Sequence, residues 1–184
     1  MIIYFKSIII YNKSRKIYFF LEVYGEAGIM EQYTVSFFGH RIIPDFNQAE
    51  KKVEVLVCNL LQQKKYVEFL VGRDGDFDQI VSSAVKRLQR CIRDDNSALV
   101  WVLPYPTAEL RNNEKNFSAY YDDIEICGAA ESSHPKRAYQ IRNQQMVDRS
   151  DLVVFYVYHC SGGAYQTMRY AEKQGKRVIN LAQS

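Results

Sequence analysis

Hydrophobic positions along the chain follow two alternating patterns. Short runs rich in β-branched and aromatic residues occur at 33–38, 67–71, 97–103, 152–158 and 177–181, and each reads as a strand. The fourth of them, Leu-Val-Val-Phe-Tyr-Val-Tyr, has no polar alternation, which suits a strand covered on both faces of a parallel sheet. Helical stripes lie between the runs. Ala49, Val53, Leu56, Val57, Leu60 and Leu61 recur at spacings of four, three, one, three and one, predicting a helix over 48–64. Ile80, Ala84, Val85, Leu88, Cys91 and Ile92 predict a second over 79–93, with Asp76 or Asp78 as its expected cap. Residues 136–149 read as a helix feeding the fourth strand, and 164–174 as a last helix stopped by Gly175 in a left-handed conformation.

Strands that alternate with helices predict an α/β fold: an open parallel sheet of five strands with helices on both faces, in the order 3-2-1-4-5. In that order the first and fourth strands are neighbours whose connections leave in opposite directions, opening a crevice at their carboxyl ends. Residues 30–184 form the expected single domain. Residues 105–150 are the least regular part, and their Tyr120, Tyr121 and Ile124 supply apolar material for a homodimer surface. Residues 1–29 depart in composition, being rich in Ile, Tyr, Phe, Lys and Asn. They read as a non-native or disordered extension ahead of a true start at Met30, with an extra edge strand as the alternative. No run in them is long enough to span a membrane.

The net charge of +3 changes the picture little. Residues 1–29 hold four Lys/Arg and two Glu, leaving 24 − 4 = 20 basic and 21 − 2 = 19 acidic residues, or +1, for the rest. A basic stripe is the usual mark of a nucleic-acid binder, so nucleic acid is not expected as a partner. Cys58, Cys91, Cys127 and Cys160 are too widely spaced for a zinc site, and Cys58 and Cys91 fall on apolar helix faces. Buried reduced thiols point to the cytoplasm. Neither a metal nor a cofactor is expected.

Candidate chemistry gathers where strands end. No Walker phosphate loop, dinucleotide Gly-x-Gly-x-x-Gly or nucleophile elbow is present. Ser161-Gly162-Gly163 instead joins a buried strand to a helix, where backbone N–H groups can approach an anion and Thr167, one turn on, can offer a hydroxyl. A plain tight turn is the alternative. Gly39-His40-Arg41 and Gly72-Arg73-Asp74-Gly75-Asp76-Phe77-Asp78 end the first two strands. Arg41 and Arg73 could clamp phosphate or be solvated loop residues, and His40 could contact a ligand or make a structural hydrogen bond. Cys160 could be an activated thiolate at a helix start. Arg142 and Asn143, upstream of Met146, Val147, Asp148, Ser150 and Asp151, could reach the crevice, while Asp148 and Asp151 cap the entry to the fourth strand.

Taken together, four motifs resemble the SLOG superfamily, the Rossmann-like group that contains the "lonely guy" phosphoribohydrolases and the DNA-processing protein Smf/DprA, with its YpsA-like bacterial branch as the nearest match. They are Phe38-Gly39-His40-Arg41; Gly72-x-x-Gly75-x-Phe77-Asp78; Arg142-Asn143-x-x-Met146-Val147-Asp148-x-Ser150-Asp151; and Ser161-Gly162-Gly163-Ala164-x-x-Thr167 with Tyr170-Ala171. The resemblance implies a pocket for a nucleotide or nucleotide-derived ligand. Its phosphates would meet Gly39, Arg41, Gly72, Arg73, Gly75, Ser161, Gly162, Gly163 and Thr167, with His40, Phe77, Asp78, Arg142 and Asn143 completing the site. The expected function is a binding or sensor domain. The alternative is cleavage of an N-glycosidic bond with Asp76, Asp78 or His40 as catalytic candidates; a third reading is DNA binding in the Smf/DprA manner. Against the phosphoribohydrolase pattern Pro-Gly-Gly-x-Gly-Thr-x-x-Glu this chain reads Ser161-Gly162-Gly163-Ala164-Tyr165-Gln166-Thr167-Met168-Arg169, without the third glycine or the glutamate, so the enzymatic branch is disfavoured.

Overall fold

The structure, a computed structural model, describes residues 7–11, 17–21, 31–92, 95–130 and 134–183. Two units are distinguished, residues 1–30 and 31–184. In the first, β1 (Ser7–Tyr11) and β2 (Ile17–Leu21) pair antiparallel as a sheet of their own, Ser7 opposite Leu21. The proposed start at Met30 lies outside the described residues.

The second unit carries β3 (Gln32–Gly39), α1 (Phe46–Gln63), β4 (Tyr66–Val71), α2 (Asp76–Cys91), β5 (Ser97–Leu103), α3 (Ala108–Tyr120), β6 (Asp123–Ile126), α4 (Pro135–Arg149), β7 (Leu152–Tyr156), α5 (Gly162–Lys173) and β8 (Val178–Asn180). Its six strands are parallel, in the order β6-β5-β4-β3-β7-β8. The expected five strands and their order are all present. The addition is β6, at the edge beside β5, reached through α3 within the segment expected to be irregular.

Period-two alternation divides each strand between two cores. Val35, Phe37, Phe69, Leu99 and Val154 face α1 and α2, where Val53, Val57, Ile80 and Ala84 cover them. Phe38, Leu70, Val100, Val153 and Phe155 face the other way, toward Met146 of α4 and Met168 and Ala171 of α5. Helix α1 opens at Asp45, whose Oδ1 accepts from the Gln48 N–H at 2.9 Å. Helix α5 closes before Gly175, which has the expected left-handed φ of 66°. At the foot of β7, Asp151 accepts the Thr34 N–H at 2.8 Å, whereas Asp148 holds the Tyr170 hydroxyl at 2.9 Å.

Three expectations are corrected here. Neither Asp76 nor Asp78 caps α2, because Gly75 occupies the N-cap and no side chain serves it. Cys91 is exposed, since Gln89 takes the inward position at that end of α2, bonding Ser97 and Asp122. Tyr121 is not surface material either: it is 5% exposed and packs with Trp101 and Phe117, leaving Tyr120 as the open tyrosine. All four cysteines are free thiols. Among the described residues no helix is long and apolar enough to cross a membrane.

Gly39 and Gly75 have steric reasons to be glycine. A Cβ on Gly39 would lie 2.4 Å from Cγ of the buried Phe77, and one on Gly75 would lie 2.5 Å from the Arg41 Cα. Gly39→Ala is therefore expected to cost about 1–3 kcal/mol in urea unfolding, the usual range for overpacking. Gly128→Ala, where a Cβ meets nothing within 4 Å, should stay within about 0.5 kcal/mol of the parent. Equal effects of the two substitutions would refute the steric role of Gly39.

Candidate ligand crevice at the carboxyl end of the sheet

The turns that end β3 and β4 are laced together. The Asp76 N–H donates to the Arg41 carbonyl at 2.8 Å, and the Asp76 carboxylate accepts the Ile43 N–H at 3.0 Å. Beside this floor, α4 and the start of α5 wall a cavity of about 380 Å³. The strand order places it where connections diverge, β3 leading to α1 on one face and β7 to α5 on the other.

Nine of the fourteen residues expected at a ligand line this crevice: Gly39, His40, Arg41, Gly75, Asp78, Arg142, Asn143, Gly162 and Gly163. Five do not. Phe77 is core, 1% exposed beneath Gly39. Gly72 makes room for the Arg142 guanidinium, whose Nη1 would sit 2.8 Å from a Cβ there. Arg73 turns away to Glu109 at 3.0 Å, its guanidinium 4.8 Å from the centre of the Phe117 ring. Ser161 bonds the His159 ring at 3.0 Å, and Thr167 is committed to neighbours described below. Of the catalytic candidates, Asp76 is bound to Ile43 and does not line the cavity. Cys160 is exposed and also lies outside the lining.

Each wall has a defined hydrogen-bonding state. Arg142 is 4% exposed; its Nη2 donates to Asp74 at 2.6 Å, and its Nε has no partner. The Thr167 hydroxyl donates to the Gly163 carbonyl at 2.9 Å, so it can only accept from the Asn143 Nδ2 at 3.1 Å. That fixes the amide's sense and leaves Asn143 Oδ1 as a bare acceptor. His40 is 8% exposed and stacked on His159 with ring centres 3.6 Å apart. Burial, and next the neighbouring His159, hold its imidazole below the ordinary value, and its Nε2 is unpartnered. Gly162 has φ 86° and, like Gly163, faces open space where a Cβ would be. The side chain of Arg41 is exposed at the rim, with no ion pair or hydrogen bond among the described residues.

Four lining residues were not among those expected at the ligand: Phe38 and Ala164, which neighbour expected glycines, and Tyr139 and Asp74. Tyr139 stands three and four positions before Arg142 and Asn143, on the same helix face, and that spacing was the available signal. Burial, with Asp74 and Tyr105 adding to it, pushes its phenol up to about 12, so it acts as a neutral hydroxyl. Asp74 gave no signal beyond its place in a glycine turn, because its role depends on Arg142 68 residues away.

Fold and crevice together define an open parallel α/β domain with a cavity at the topological switch point. Among solved structures this is the fold of DNA processing protein A. The Streptococcus pneumoniae protein superposes with a TM-score of 0.58 at 17% identity, covering 81% of this chain and 50% of that one. The Helicobacter pylori protein, whose structure concerns its single-stranded DNA binding mode, gives 0.56 at 15% identity over 79% of this chain and 63% of that one. This chain thus spans between half and two thirds of these neighbours. The resemblance to the Smf/DprA proteins of the SLOG superfamily holds at the level of fold, and these neighbours do not bear out the YpsA-like branch. No family model and no curated protein matches the chain. The expectation that nucleic acid is not a partner is overturned, since a protein of this fold binds single-stranded DNA. A total charge near zero says nothing about how charge is distributed around one crevice.

Asp78 generates a pH prediction. Burial, opposed by backbone hydrogen bonds and Arg142, raises its carboxyl from 3.8 to about 6. Between those values the folded protein keeps a proton that the unfolded chain has released, so this group's stabilising contribution is full below about pH 4 and is lost as pH rises through 6. Asp78→Asn should remove that fall in melts compared with the parent from pH 4 to 7, each tenfold difference in proton affinity being worth about 1.4 kcal/mol. Parallel pH profiles would assign the effect to another group.

Proposed function

We propose that the crevice binds a nucleotide or nucleotide-derived ligand, the phosphate against Gly162, Gly163 and Arg41 and the sugar or base toward His40 and Asn143. One observation carries the reading. Of the four buried side-chain polar atoms without a partner among the described residues, three belong to this crevice: His40 Nε2, Arg142 Nε and Asn143 Oδ1. Unpaired buried polar groups are rare because each costs desolvation without return, and their clustering fits a site completed by an occupant. Their chemistry is mixed. Arg142 Nε offers a proton and Asn143 Oδ1 demands one, which suits a ligand with both phosphate oxygens and hydroxyl or amino groups better than a bare anion. The expected setting is the cytoplasm, the four cysteines being free thiols.

The DNA-processing neighbours favour a second reading at the same place, in which the nucleotide is a unit of a single strand. Cleavage of an N-glycosidic bond has a narrower basis: with Asp76 bound to Ile43, Asp78 is the candidate carboxylate that lines the crevice, beside Asp74, which is paired with Arg142.

Isothermal titration with AMP, ADP-ribose, NAD and short oligothymidylates is the test, with folding checked by circular dichroism. At least one is expected to bind, and Arg41→Ala or Asn143→Ala should weaken it by about tenfold, the loss of a charge-assisted or buried hydrogen bond. Binding to oligothymidylate with a steep salt dependence, and to none of the small molecules, would select the single strand. Silence from the whole panel with folded protein sinks the reading, and base release from AMP would favour the hydrolase.

A further inference from the structure

The crevice does not end at Asn143. A second cavity of about 520 Å³ runs on between α4 and α5, and it shares Arg41, Tyr139, Asn143 and Gly163 with the first. Its own lining is of a different kind: Gln140, Gln144, Gln166, Thr167 and Tyr170. Arg41 is the cation in this lining, and it stands at the junction. A surface of amides and tyrosines around a single charge is suited to a neutral, planar, hydrogen-bonding group, since amides pair with base edges and phenol rings stack on base faces.

We infer that the site takes a ligand built of two nucleoside units joined through phosphate, one unit in the crevice and the other along the α4–α5 groove. This rests on the nucleotide reading of the crevice and specifies the size and shape of its ligand. Three features carry it. The two cavities adjoin, with four lining residues in common, and one of these, Asn143, has a buried Oδ1 without a partner. Arg41 and Gly163 lie at the same junction, where a bridging phosphate would sit. The groove's aromatic wall is held in place, because the Tyr170 hydroxyl donates to Asp148 at 2.9 Å while Gln140 bonds Gln166 across the helices at 3.4 Å. A pyrophosphate-linked pair of nucleosides and a phosphodiester-linked dinucleotide share this chemistry.

The test compares AMP with ADP-ribose, NAD and the 5′-phosphorylated dinucleotide pApA by isothermal titration on the full chain. At least one two-unit ligand should bind about tenfold or more tightly than AMP, the effect of one added stacked base. Whether NAD or pApA shows the gain identifies the linkage. ADP-ribose, which lacks the second base, should show less of it than NAD. Tyr170→Ala and Gln144→Ala should abolish the gain and leave AMP affinity unchanged, and Tyr170→Phe, which keeps the ring, should retain most of it. Gln144 is exposed, so its variant tests the groove without disturbing the core. AMP binding equal to that of every two-unit ligand, or a gain indifferent to both alanine variants, overturns this inference and leaves the nucleotide reading standing. No binding by AMP or any two-unit ligand overturns both.

Discussion

Everything at the carboxyl end of the sheet depends on two turns touching backbone to backbone. Gly75 lies against the Arg41 main chain, where a methyl group would overlap the Cα at 2.5 Å, and Asp76 ties the turns with one donated and one accepted hydrogen bond. Gly39 lets the Phe77 ring close underneath. This contact brings the ends of β3 and β4 to one level, and so places His40 and Arg41 across from the α4 side chains that form the opposite wall. The glycines of the first two turns thus let the floor close tightly, while Gly162 and Gly163 leave space above it.

That division explains what was legible in the sequence. Strands β3, β4, β5 and β7 were readable because burial on both faces needs sustained apolar runs, β8 as a shorter half-buried run at the edge, and α1 and α2 because a single apolar stripe fixes their phase. Strand β6 was not, being four residues of an edge with two acidic positions. Helix α3 has no fully buried residue and touches the core through Leu110 and Phe117, too sparse a stripe to be seen as a period. Within the site, residue types were recognisable and their duties were not. A glycine has one spelling whether it admits a ligand or a phenylalanine ring, and Arg73, beside a strand-end glycine as Arg41 is, was drawn to Glu109 and Phe117 on an unforeseen helix.

The crevice is also polarised. Its buried cation, Arg142, already holds a carboxylate, Asp74, at 2.6 Å, and the half-buried Asp78 stands close enough for both to act on its carboxyl. An anion arriving beside Arg142 therefore meets two acidic groups as well as the guanidinium. Entry is easier when Asp78 carries its proton and when the incoming group brings hydroxyl or amino protons of its own. Such a lining discriminates against simple anions, because the carboxylates repel any occupant that cannot donate hydrogen bonds.

The Thr167 hydroxyl shows how little chemistry sets such discrimination. One proton, aimed at the Gly163 carbonyl, decides which end of the Asn143 amide faces the crevice. Thr167 lies outside the crevice lining, in the adjoining groove, yet its hydroxyl works as a one-bit memory: with it the amide reads donors, and without it the amide is free to rotate and read acceptors instead. A valine of nearly the same shape at this position would leave the cavity's outline intact while erasing its preference. Specificity here is stored in the direction of a hydrogen bond, and a comparison of pocket shapes would not detect its loss.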